Sequence, residues 1–179
     1  MKLASSVARA VALFSLTLGL AGCPNPPSSV EGWVYTSLGT GRGLAERGDG
    51  TLFLTTAPYL TGILSSVSLS FHGEEQWRYT ANGTRAVGLG ETKRWSDVAP
   101  NGDGILAGRD TSSEQGVLRV ARLDANGQLL WDFSYPEVGD VNAVRGVAAL
   151  PDGSCVIGGN YYDEGFRPFL IRLGANGVV

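Results

Sequence analysis

Hydrophobic and polar positions follow two different patterns along this chain. Residues 10–21 (AVALFSLTLGLA) form one apolar run without a charge. Beyond residue 30 the apolar residues come in short runs of strand length, split repeatedly by glycine, aspartate and asparagine. Val117-Leu118-Arg119-Val120-Ala121-Arg122-Leu123 alternates only in part, and Phe169-Leu170-Ile171-Arg172-Leu173 is spelled the same way later on. No window past the leader sustains the 3.6-residue period of an amphipathic helix. Short strands joined by tight turns are therefore predicted, with those of the central stretch near 95–99, 104–109, 117–123 and 128–134.

The turns recur. Gly48-Asp49-Gly50, Pro100-Asn101-Gly102 and Pro151-Asp152-Gly153 share a glycine at a spacing of about fifty residues. In each, an Asp or Asn that tolerates left-handed backbone precedes a glycine that favours it, which is β-turn chemistry. A second turn follows in each copy, at Phe71-His72-Gly73, Asp124-Ala125-Asn126-Gly127 and Gly174-Ala175-Asn176-Gly177. Trp77 and Trp131 each lie four residues after the second-turn glycine. A unit of this size cannot bury both faces of its strands alone, whereas stacked units can. The expected fold is all-β and β-propeller-like, with about three four-stranded antiparallel blades in a partial propeller or open arc. The approximate repeats are 42–80, 94–134 and 145–179 of a domain covering 31–179. Glu31-Gly32-Trp33-Val34-Tyr35-Thr36 reads as a fourth strand without its blade. Closed propellers use about four blades or more. Three arrangements follow: a piece of a longer propeller, an open arc, or half of a two-chain six-bladed ring. Exposed strand edges and an apolar blade face favour a piece of a longer propeller or a partner-completed arc over an isolated monomer.

Residues 123–131 (LDANGQLLW) and 151–153 (PDG) resemble bacterial propeller-like repeats. The strand-turn-Trp pattern is similar to the tryptophan-docking repeats of quinoprotein propellers and of an outer-membrane assembly lipoprotein. The resemblance implies architecture and is nearly silent on activity.

The leader concerns location. Lys2 and Arg9 precede the apolar run, which is too short for the ~20 residues of a membrane-spanning helix. A basic start followed by a short apolar run reads as a secretory signal over 1–22. Leu20-Ala21-Gly22-Cys23 resembles the lipobox of bacterial lipoproteins. That resemblance implies a diacylglycerol thioether on Cys23, followed by N-acylation; the alternative is a plain signal peptide with an incidental cysteine. Pro24 rather than Asp after Cys23 implies the outer membrane in a two-membrane bacterium. Pro24-Asn25-Pro26-Pro27-Ser28-Ser29 then reads as a semi-rigid tether over 23–30.

Composition removes several classes of function. A net charge of −3 without a basic cluster excludes a nucleic-acid-binding arm. Two cysteines exclude a disulfide-dense miniprotein, and one histidine excludes His-pair metal centres.

Arg42, Arg94 and Arg145 each lie eight residues before the shared glycine, at the expected start of the innermost strand. They could converge on a carboxylate or phosphate through forked hydrogen bonds, or each could pair with the neighbouring blade. Trp95 breaks the tryptophan pattern and is a candidate aromatic contact, with core packing as its alternative. Asp49, Asn101, Asp103 and Asp152 are read as turn formers rather than metal ligands. His72 is expected in a solvated turn, and Cys155 as a buried, inert thiol. The expected function is a membrane-anchored lipoprotein acting as a non-catalytic interaction scaffold, with no cofactor, metal or nucleic acid. Its partners are a membrane, through the Cys23 acyl chains, and a protein or second copy at the blade edges. The alternative is a propeller, or enzyme fragment, that binds a small ligand or redox cofactor at its channel mouth.

Overall fold

A computed structural model describes residues 34–36, 40–57, 63–85, 95–110 and 116–179. The leader, Cys23, the tether, Trp33 and Arg94 lie outside the described residues. Val34–Thr36 belong to a first unit (Met1–Thr36) and carry no regular secondary structure. The described residues of the second unit, Ser37–Val179, are all-β apart from one 3-10 turn at Pro136–Val138.

Three antiparallel blades make up this second unit. The first holds β1 (Thr40–Glu46), β2 (Leu52–Ala57), β3 (Ile63–Leu69) and β4 (Glu75–Arg85). The second holds β5 (Ser96–Val98), β6 (Gly104–Asp110), β7 (Val117–Leu123) and β8 (Leu129–Tyr135). The third holds β9 (Asp140–Ala149), β10 (Cys155–Tyr162) and β11 (Phe166–Leu173). Within each blade, sequence neighbours pair. Two residue pairs, Thr84 with Asp110 and Arg85 with Arg109, link β4 to β6 and join the first two blades into one hydrogen-bonded sheet. The expected propeller-like, all-β class is what the chain forms, and the central strands fall where the pattern places them.

The repeated glycines do the same job in every copy. Gly50, Gly73, Gly102, Gly127, Gly153 and Gly177 have φ between +80° and +87°. Each donates its amide to the carbonyl three residues earlier, as Gly102 does to Ala99 and Gly177 to Gly174. An Asp, Asn or Ser side chain stabilises the bend. Asp49 accepts from the Thr51 amide at 2.9 Å, and Asp124 from the Asn126 amide at 2.8 Å. These bonds return each strand antiparallel to the last, and they are local enough for a single sequence to show.

The core lies between blades, not inside any one of them. Leu118 and Val120 point from β7 toward the third blade, and Ala121 and Leu123 toward the first; all four are buried. A strand covered on both sides has no need to alternate, which accounts for the partial alternation of 117–123. Val141, Val144 and Val147 of β9 join Ile105, Ala107, Leu118 and Val120 in one cluster.

Candidate functional site

The side chains with the most developed chemistry sit where blades meet. Trp77 on β4 donates Nε1–H to the Ala125 carbonyl at 2.9 Å, and its indole lies over Gly127. Trp131 on β8 does the same to Ala175, also at 2.9 Å, over Gly177. A Cβ on Gly127 would stand 2.5 Å from the Trp77 ring, so the bend needs glycine for its backbone angle and for indole contact. Tyr135, two strand positions past Phe133, donates its hydroxyl to the Gly177 carbonyl at 2.6 Å. Burial pushes the Tyr135 phenol up to about 12, so it stays a donor.

Two arginines rivet the blades together. Arg122, at the end of β7, lies 4% exposed between the second and third blades. Its Nε donates to Asp103 Oδ2 at 2.8 Å. Its Nη1 donates to the Gly153 and Ala175 carbonyls at 2.7 and 3.2 Å. The charge is thus compensated inside its own blade while the fork holds two turns of the next. Arg47 is its equivalent at the preceding junction, between the first and second blades. It donates to the Gly102 carbonyl and to Ser68 Oγ, both at 2.8 Å, and lies over the rings of Phe53 and Trp77. Desolvation lowers its pKa from the ordinary guanidinium value, partly offset by Asp49, Asp103 and Asp124. Neither arginine stands out in the sequence alone. The signal that could have found Arg122 is its recurrence as Arg172, each immediately before the leucine that ends its strand.

Of the three repeat-locked arginines, two are described. Arg42 and Arg145 each occupy a bulge of the innermost strand. The pairing of β1 with β2 slips between Gly41 and Gly43, and that of β9 with β10 between Gly158 and Gly159, opposite Gly146 and Val144. A bulge re-aims the extra side chain, and at Arg42 it turns toward the second blade. The Arg42 guanidinium lies 4.9 Å above the Trp95 ring of the second blade. Arg145 is exposed and donates Nε–H to Asn160 Oδ1 at 3.2 Å within its own blade. Trp95 is 1% exposed and belongs to the core, so its role is packing rather than surface contact. Arg42 Nε and Trp95 Nε1 are both buried without a hydrogen-bond partner among the described residues. At the next residue, Thr55 donates to Ser96 Oγ at 2.6 Å, and both side chains are buried.

The remaining candidates fall into simpler roles. The Asp49 carboxyl is held below the usual range chiefly by the Thr51 hydroxyl, and the Asp152 carboxyl likewise by Ser154. Asn101 and Asp103 bond to each other at 2.8 Å, and Asp103 to Arg122. Among the described residues no three His, Cys, Asp or Glu side chains gather as a metal site would require. His72 is exposed in its turn, edge-on to Phe71. Cys155 is buried, and desolvation pushes its thiol up to about 11.

One face of the third blade is different in kind. In the second blade, the side chains facing the next blade include Ile105, Ala107, Leu118 and Val120, each 0% exposed. Their counterparts in the third blade, counted from the shared glycine turns, are Val156, Gly158, Pro168 and Leu170. Leu170 is 78% exposed and Phe166, on the same face, 67%. Arg172, the counterpart of Arg122, has a 63% exposed side chain and, among the described residues, bonds within its own blade to Asp152 and Ser154. The blade presents a next-blade face with nothing described against it.

No protein-family model matches the chain, and no curated protein matches it. Among solved structures it is similar to the calcium-binding protein regucalcin from Agrobacterium tumefaciens, with a TM-score of 0.39 and 16% identity. The match covers 73% of this chain and 45% of that one, so this chain spans less than half the length of that neighbour.

Proposed function

We propose that this chain is a lipid-anchored, non-catalytic scaffold that engages another protein surface through the open face of its third blade. The observation that carries the reading is the exposure of Leu170 and Phe166 at a face whose counterpart one blade earlier is closed over. An apolar sheet face of this kind invites a partner. The repeat's most distinctive described residues, Trp77, Trp131, Arg47 and Arg122, are engaged in holding blades together, which supports an architectural role. Anchoring rests on Leu20-Ala21-Gly22-Cys23. A diacylglycerol thioether with a further N-acyl chain would hold stably at a bilayer, because one chain alone binds only marginally. The placement we propose is the outer membrane of a bacterial envelope, with the Pro-rich stretch as spacer. The test is metabolic labelling with an alkyne fatty acid in a bacterial host, followed by membrane fractionation. The intact chain should carry label and sediment with membranes, and Cys23→Ser should lose the label. A labelled Cys23→Ser chain, or an unlabelled intact chain, would refute the anchor.

A second reading is favoured by one observation, the donors of Arg42 and Trp95 that have no partner among the described residues, at a single stack. A small carboxylate or phosphate ligand would satisfy both. Thermal unfolding with acetate, succinate and phosphate tests it: a saturable rise in midpoint that Arg42→Lys reduces supports a ligand site, and no shift refutes it.

A further inference from the structure

We infer that the Arg42–Trp95 stack binds a small monocarboxylate, and that the bound anion fastens the first blade to the second. The inference rests on the second reading above and names its ligand and its effect.

The two residues stand where the first and second blades touch along their inner edges. The Trp95 amide donates to the Arg42 carbonyl at 3.3 Å, and the Arg42 guanidinium lies over the Trp95 ring. Arg47, Arg109, Arg119, Arg122, Arg145 and Arg172 each donate a hydrogen bond to an oxygen of the chain. Arg42 donates none among the described residues, although its Nε is buried. The repeat shows why. Its counterpart Arg145 reaches Asn160 Oδ1 at 3.2 Å, and the first-blade residue at the position of Asn160, counted from the shared glycine, is Ala57. Trp95 in turn stands where the third blade has Gly146. It is 1% exposed, and its Nε1–H has no acceptor among the described residues. Two buried donors, one from each blade, thus lie at one stack, and each is costly to leave unpaired. Neither can accept, so the group that satisfies both is an acceptor, and a planar carboxylate has an oxygen for each. The stack supplies one positive charge. A monoanion balances it, whereas a dianion would leave a charge uncompensated in a buried setting.

The effect follows from a second difference between the two junctions. Thr55 donates to Ser96 Oγ at 2.6 Å across the first junction and stands 3.5 Å from Ser66 Oγ. All three side chains are 0–1% exposed. Counted from the shared glycines, their counterparts at the second junction are Ala107, Val147 and Val120, each 3% exposed or less. At the same level, one junction is closed by apolar burial and the other by hydroxyls. Water replaces hydroxyl hydrogen bonds when a junction opens, but it does not replace buried apolar contact. The first junction therefore opens more readily than the second, as a local unit. Because Arg42 Nε and Trp95 Nε1 are buried when the blades are docked, the anion enters on opening and then favours the docked form.

The experiment follows hydrogen–deuterium exchange of the detergent-solubilised full chain by mass spectrometry, in sodium acetate, phosphate or chloride at equal ionic strength. At ten times its dissociation constant, acetate should slow exchange of the β1 and β5 peptides about tenfold and leave those of β10 and β11 unchanged. Chloride should slow neither. Arg42→Gln should abolish the slowing. Trp95→Phe keeps a ring without the N–H and should weaken acetate binding about tenfold; if that variant fails to fold, Arg42→Gln decides. Arg145→Gln, at the repeat counterpart, should leave the acetate effect intact. Slowing that survives Arg42→Gln, or that spreads equally over β10 and β11, would overturn the inference. Slowing by phosphate and not by acetate would overturn the monocarboxylate and leave the second reading standing. An acetate-dependent rise in the unfolding midpoint without local slowing would overturn the fastening alone, and no rise with any of the anions would remove the second reading with it.

Discussion

Gly127→Ala isolates the docking of one blade on the next. Two costs act at this position. Alanine at φ +81° costs about 1–2 kcal/mol, because its Cβ crowds the backbone in the left-handed region. The new Cβ would also lie 2.5, 2.7 and 2.9 Å from Cδ2, Cε3 and Cγ of Trp77. These atoms belong to a rigid indole held by its bond to the Ala125 carbonyl and by the Phe53 ring 6.0 Å away. The indole cannot swing aside without losing the bond, so overpacking adds about 1–3 kcal/mol. Gly50→Ala is the control, with φ +80° and nothing within 4 Å of the added carbon. Urea unfolding of both variants should show a loss of about 1–2 kcal/mol for Gly50→Ala and about 2–5 for Gly127→Ala, at similar dependence on denaturant. Trp77→Ala should cost at least about 1 kcal/mol less in the Gly127→Ala background than in the natural chain. Equal losses at the two glycines, or no coupling to Trp77, would refute the docked geometry.

Asp103→Ala strands the Arg122 charge between blades and should cost about 3 kcal/mol in the same assay, whereas Arg167→Ala, which breaks an exposed pair, should stay within about 0.5. Tyr135→Phe removes the donor to the buried Gly177 carbonyl and should cost about 1 kcal/mol. The folded Cys155 thiol should resist a maleimide at pH 8 and react once urea unfolds the chain. Cys155 is raised from 9.0 to about 11 and Tyr135 from 10.0 to about 12 in the folded protein. The unfolded chain gives up these protons first, so stability should fall as pH rises from about 9 toward 12; a flat unfolding midpoint across that window would contradict the burial of both groups.

The bends, the strands and their recurrence are written in the order of residues. An Asp or Asn beside a glycine makes its turn from atoms two or three residues apart, as at Asp124–Gly127, and no distant contact is needed to read it. His72 was legible for the same reason, because its turn sets its exposure. Which side chains meet across blades is a matter of packing. Arg122 and Arg172 are spelled alike, but one is buried among turns of the following blade and the other lies open. Trp95 could have been read as a surface aromatic until the first blade was seen to cover it. Burial in a stacked fold depends on what lies against each face, and a strand's own letters do not record its neighbour.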